Sequence, residues 1–343
     1  LLERVRASAH FTRDGSEADF YLVPFLSKCY FNNVARYRLQ AMDQVLLQIV
    51  SFLRQSPWWK HRSHRHLFFF MSGVGAGIVP SWHAHIASSV FVVAEGDREA
   101  DYFRPSHDIV VPGKLGVAPL SVQRHPKERK LLACFRGSLD AALRNAEGVR
   151  VHKENRLRRR LADLLVREKS VVFSGQKSKR YVQEMDDARF CIIPRGNTPW
   201  TRRFFDASVR GCIPAVLSDT VAFPFEQLID FSQMTLKLPE QWAPRLVEEL
   251  RAINDTSAEA LWVGLHRISP AFIYEGGCAF DLFLLELALR HHGPEENGDT
   301  TLLRSVGITP NSAKHFWSPV HGCFHLPGVA KVGPSWGAGA KPH

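Results

Sequence analysis

Long apolar runs are missing from this 343-residue chain. No stretch reaches the roughly 18–20 consecutive apolar residues that a membrane helix needs. The longest candidates, such as residues 86–94, read as buried strands. Cysteine is scarce as well: six residues, at 29, 134, 191, 212, 278 and 323, with no Cys-x-x-Cys spacing. That is too few for a disulfide scaffold. Cys134, Cys191 and Cys212 sit in or beside apolar runs and read as buried thiols, whereas Cys29, Cys278 and Cys323 are candidates for a luminal disulfide of open pairing. Metal-ligand spacing is lacking too. The histidines at 61, 64 and 66, at 83 and 85, and the alternation His321, Cys323, His325 have no complete donor set, so no metal is expected. No nucleic-acid motif or aromatic-basic platform accompanies the net charge of +10, which fits a solvating surface, or an enzyme handling nucleotide sugars or acidic polysaccharide. The chain begins Leu1-Leu2 rather than with Met, and so reads as a piece of a longer precursor whose signal or anchor lies outside it.

What is present is globular. Hydrophobic residues make up 45% of a chain long enough for two domains. Strand-like runs at 20–23, 67–71, 89–94 and 109–111 alternate with helical stretches, among them 34–54 with Leu39, Met42, Val45, Leu46 and Ile49 on one stripe. That alternation predicts a parallel α/β sheet. The polar segment 122–130 marks a domain change, and a second strand series follows at 131–135, 171–173, 190–193, 213–217 and 231–238. Helices are expected over 150–169, 181–188, 241–253 and 281–290. The expected division is 1–125, 126–290, a return segment 291–327 and a disordered tail 328–343. A single sequon, Asn254-Asp255-Thr256, supports secretion only weakly.

The chain is organised around Phe190 to Phe225. A strand breaks at Pro194-Arg195-Gly196, Thr198 and Pro199 suit the cap and first residue of a helix running to Arg210, and Gly211 suits its left-handed end. Arg195, Arg202 and Arg203 cluster where a helix dipole disfavours cations, which points to an anion there; Asp206 follows one turn on, at ion-pair spacing. Upstream, Arg136-Gly137 leaves another strand end. Gly73, Gly75 and Gly77 form a glycine-rich turn after a strand, without the spacing of a dinucleotide fingerprint.

The runs FCIIPRG, RRFFDASVRGCIPAVLSD and PFEQLIDF resemble the exostosin family of glycosyltransferases, with weaker matching pieces at 17–25, 66–70, 108–113 and 131–137. The resemblance implies a GT-B architecture: two Rossmann-like domains facing a cleft, with C-terminal helices crossing back. It implies an inverting, metal-independent glycosyltransferase using a nucleotide sugar, expected to be a UDP-sugar, and a polysaccharide or glycoprotein glycan acceptor. The alternative is a catalytically inactive relative that binds glycan or chaperones a partner, and a homo- or hetero-oligomer fits either. The expected place is the Golgi lumen, as part of a type II membrane protein or a secreted form. Donor-binding residues on this reading are Arg136, Arg195, Gly196, Arg203, Asp206, Ser218 and Asp219, with Arg195 and Arg203 on the diphosphate and Asp206 on the ribose. The catalytic base belongs to the first domain, where His83 and Asp97 are the leading candidates and Glu95 a third. The family often carries an acidic residue near the glycine turn, and this sequence lacks it.

Overall fold

A computed structural model describes residues 1–120, 123–144, 150–154, 156–292 and 332–334. The apolar runs become strands in chain order: β1 Phe20–Leu22, β2 His66–Phe70, β3 Val90–Val93, β4 Gly96–Asp97, β5 Ile109–Val110, β6 Leu131–Arg136, β7 Asp140–Arg144, β8 Arg150–Glu154, β9 Val171–Ser174, β10 Ala188–Pro194, β11 Ile213–Leu217, β12 Val221–Ala222, β13 Leu236–Lys237 and β14 Val332–Pro334. Two five-stranded sheets result, ordered β14-β1-β2-β3-β5 and β13-β11-β10-β6-β9. Every pairing within them is parallel. A short antiparallel pairing of β4 with β12 ties the two halves, setting Asp97 opposite Val221.

Period-two alternation explains the layering. In β2 and β3, Leu67, Phe69, Val90 and Val92 face a central core, while Phe68, Phe70, Phe91 and Val93 face an outer one beneath the helix Leu39–Leu53. In β10, Cys191 and Ile193 join the same central core, while Phe190 and Ile192 pack outward with Leu161, Leu165, Leu246 and Leu250. The two sheets therefore share one apolar middle layer, filled by Phe204 and Phe205 of the helix Arg203–Val209 and by Leu282, Phe283, Leu284, Leu285 and Leu287. Burying side chains of this size contributes about 1.5–3 kcal/mol each. The last helix, Ala279–His292, crosses back to the first half, where Arg290 donates to the carbonyls of His107 at 3.1 Å and Asp108 at 2.8 Å. This two-sheet α/β layout is the GT-B architecture that was expected.

Several local expectations shift. The helix expected from Pro199 begins at Arg203, because the Thr198 hydroxyl is drawn to Glu95 instead of capping and the Pro199 carbonyl accepts from Ser218 at 2.7 Å. Gly211 does end it in the left-handed region, at φ 71°. The amphipathic stretch 150–169 divides into β8 and the helix Arg156–Leu165. The strand expected over 231–238 is a 3-10 turn, Phe231–Gln233, followed by β13. Five α-helices carry no sequence expectation: Leu2–Ala7, Ser27–Asn33, Pro57–Arg62, Trp82–His85 and Asp255–Ile268. Of the tail 328–343, only Val332–Pro334 is described, and it pairs alongside β1. The return segment beyond His292, with its histidine-cysteine alternation, lies outside the described residues.

Candidate active site

The strands of each parallel sheet end in loops at the same edge, the edge where open α/β sheets bind ligands. A cavity of about 720 Å³ lies at this edge of the first sheet. Its lining includes Lys28 from the helix Ser27–Asn33, Glu95 and Lys114 from loops after β3 and β5, and Trp200, Arg202 and Phe205 from the second half. Glu95 follows β3 directly. Burial raises its carboxyl pKa, opposed by a hydrogen bond from the Thr198 hydroxyl and by the charge of Lys28. The glycine turn serves this residue: a Cβ on Gly73 would stand 3.0 Å from Glu95 Oε2, and one on Gly77 3.0 Å from the Tyr102 ring. Close approach of protein groups, rather than of a ligand, is what these two glycines permit.

Arg203 is the second focus. Its guanidinium lies 4.5 Å over the Phe135 ring and 5.7 Å from that of Tyr181. Its Nε is buried without a hydrogen-bond partner, and among the described residues it forms no ion pair. A Cβ on Gly137 would come within 2.7 Å of its Nη2, so the bare backbone after β6 makes room for it. Arg158 shares Phe135, 5.3 Å from the ring, and donates to the carbonyls of Ser138, Pro194 and Arg195 at 2.8, 3.2 and 3.0 Å. Burial, with the Arg203 charge behind it, pushes its pKa down to about 10. Burial depresses Arg203 likewise. The charge of Arg203 is one cause of the lowered Arg158 pKa, so both guanidiniums stand within electrostatic reach at the ends of β6 and β10.

The other sequence-picked residues fall into supporting places. Arg136 is paired with Glu184 through two hydrogen bonds, one of them 2.7 Å. Arg195 meets Glu240 at 3.4 Å, the Glu240 amide donates to the Asp219 carboxylate at 3.0 Å, and the Asp219 amide donates to the Glu240 carboxylate at 3.1 Å. The Gly196 amide donates to Thr198 within its own turn at 2.9 Å. Ser218, fully buried, holds Pro199. Asp206 is also fully buried, and its carboxylate accepts from the Gly116 amide at 2.6 Å and the Tyr181 hydroxyl at 3.0 Å, with Arg202 Nε at 3.7 Å. Its oxygens are hydrogen-bonded to protein groups from both halves, so the residue joins the Gly116 loop to Tyr181.

The two leading base candidates are displaced as well. His83 has a side chain 57% exposed, stacked on Trp82 and 3.9 Å from Asp101, and it does not line the cavity. Asp97 lies in the β4–β12 pairing and accepts from the Glu99 amide at 3.2 Å. The thiol expectation fails for two cysteines: Cys191 and Cys212 form a disulfide, while Cys134 stays a buried thiol. Cys278 is disulfide-bonded too, and Cys29 is free and exposed. Sequence reasoning missed Arg158. The available signal was its place on the buried stripe of its helix with Leu161 and Leu165.

The molecule is a two-sheet α/β protein with buried arginines at the strand ends, the edge where open α/β sheets bind ligands. The chain belongs to the exostosin family, for residues 1–253 match the model of the Exostosin GT47 domain. A probable glucuronoxylan glucuronosyltransferase of Arabidopsis thaliana is 24% identical over 307 residues, covering 84% of this chain and 61% of that protein. A probable arabinosyltransferase of the same plant, ARAD1, is 25% identical over 70% of this chain and 54% of its own length. The chain thus spans about three fifths or less of these relatives. Among solved structures, TarM matches over 69% of this chain and 57% of its own, with 8% identity and a TM-score of 0.37.

Proposed function

We propose that the chain carries an inverting glycosyltransferase site that takes a nucleoside-diphosphate sugar, with UDP as the nucleotide, and passes the sugar to a glycan hydroxyl. The observation that carries this reading is Arg203, a recessed cation with an unpartnered Nε beside a second buried arginine. The relatives' names support it, one a glucuronosyl- and one an arabinosyltransferase. In the reaction, Glu95 takes the proton of the acceptor hydroxyl, whose oxygen attacks the anomeric carbon from the face opposite the diphosphate. The bond to the diphosphate breaks and its electrons leave with the phosphate. Arg203 and Arg158 offset that growing charge, most strongly in the transition state. Metal-free catalysis follows the same logic, since guanidinium groups supply the positive charge. We place the enzyme in the Golgi lumen, as expected from the family resemblance.

The test is a thermal-shift screen of UDP and UDP-sugars on the protein and on Arg203→Ala. A ligand at 100 times its Kd stabilises by about 2.7 kcal/mol. The parent protein is expected to shift and the variant, with circular dichroism unchanged, to shift far less. An equal shift in Arg203→Ala would overturn the phosphate assignment. No shift with any UDP-sugar would favour the silent glycan-binding relative.

A further inference from the structure

Three sulfurs lie together beneath the anion site, and the proposed reaction uses none of them. Cys134 of β6 and Cys191 of β10 are register partners on adjacent parallel strands, and their Sγ atoms are 3.5 Å apart. Cys191 is already bonded to Cys212, and all three sulfurs lie within 4.8 Å of one another. We propose that Cys134, Cys191 and Cys212 form an exchange site in which the covalent link passes between Cys191–Cys212 and Cys134–Cys191. The Cys134 thiolate attacks Cys191 Sγ, the Cys191–Cys212 bond breaks, and Cys212 leaves as a thiolate that takes up the proton Cys134 lost. Electrons and atoms balance within the chain, so no oxidant or reductant is consumed. The new bond fits the backbone, because neighbouring strands lie about 4.8 Å apart, inside the Cα separation that disulfides tolerate.

The groups facing Cys134 set the rate. Burial pushes its thiol up to about 12; the charge of Arg203 from the middle helix opposes this, Glu184 from the helix Tyr181–Asp187 adds to it, and Arg129 and Arg136 beside and within β6 oppose it. Only the thiolate attacks, so below that pKa exchange gains about tenfold per pH unit. The two pairings hold different elements. Cys212, whose amide donates to the Ala207 carbonyl at 3.0 Å, ties the end of the helix bearing Arg203 to β10. The Cys134–Cys191 link would free that helix end and clamp β6, whose last residue precedes Gly137.

The experiment is disulfide mapping of the whole chain. The protein is held at pH 7 and pH 9, quenched in acid, alkylated and digested, and the linked peptides are counted by mass spectrometry. Both pairings are expected, with Cys134–Cys191 appearing faster at pH 9 and not at all in Cys134→Ser. Cys212→Ser treated with oxidised glutathione is expected to form the Cys134–Cys191 link with release of two reduced glutathiones, while the exposed Cys29 carries a glutathione adduct and no link to another cysteine of the chain. A single Cys191–Cys212 pairing in the unmodified chain at both pH values would overturn the proposal without recourse to any variant. Links to Cys29 in equal amount would overturn it too, since they mark scrambling through the unfolded chain.

Discussion

Glu95 and His66 are both held where burial favours the neutral form, and the two shifts have opposite consequences. A base works ionised, so wild-type transfer should rise with pH through a Glu95 pKa that burial raises above its ordinary value. Glu95→Gln keeps an acceptor for Thr198 and loses the base. The expected outcome is a fall in kcat of about 10²–10⁴-fold, with the acid limb of the pH profile abolished. A variant retaining both would exclude Glu95 as the base. His66 lies stacked on Tyr21 at 4.9 Å, with Nδ1 against the Arg62 carbonyl, and burial pushes its pKa down to about 4. A depressed histidine binds fewer protons folded than unfolded, so its contribution is present above about 6.5 and is lost as pH falls toward 4. At about 1.4 kcal/mol per pH unit the window is worth at most about 3 kcal/mol. Urea unfolding at pH 7 and pH 4.5 should show that loss, and His66→Phe should reduce it.

Among the elements, the glycines separate catalysis from stability. Gly73→Ala presses a methyl against the Glu95 carboxylate, so kcat should drop several-fold with the melting temperature nearly unchanged. Gly264→Ala, on the helix Asp255–Ile268, puts a Cβ 1.9 Å from the Gln233 carbonyl, and backbone has no cheap way to yield. It should lose more than about 2 kcal/mol in denaturant titration, on the scale of core overpacking, and leave kcat alone. The reverse pattern would show that the glycine turn does not position Glu95. This is also the scale at which sequence legibility changes. Strands such as 190–193 were readable because an apolar run closed by Pro194 and Gly196 carries its own signal. The start of the middle helix was not, because Thr198 answers to Glu95, 103 residues away, instead of to its own backbone. Arg203 was readable from local charge placement, whereas Arg158 and the Cys191–Cys212 bond depend on which strands become neighbours.

Over the whole molecule, the halves are joined by a shared apolar core, the β4–β12 pairing, the returning helix and one buried carboxylate. That carboxylate, Asp206, distinguishes two roles by measurement. As a ribose ligand it would matter only when nucleotide binds. As the acceptor that joins Gly116 to Tyr181, it matters in the empty protein, since its removal takes the partner from a loop amide and a half-buried hydroxyl and leaves a hole where a fully buried carboxylate stood. An unsatisfied partner costs about 1–3 kcal/mol when buried and less where water reaches it. Asp206→Ala should therefore lower the denaturation midpoint without ligand, by roughly 2–4 kcal/mol in unfolding free energy. Binding of UDP should weaken only secondarily, because Tyr181 also faces Arg203. Unchanged stability together with lost UDP affinity would return Asp206 to the ligand.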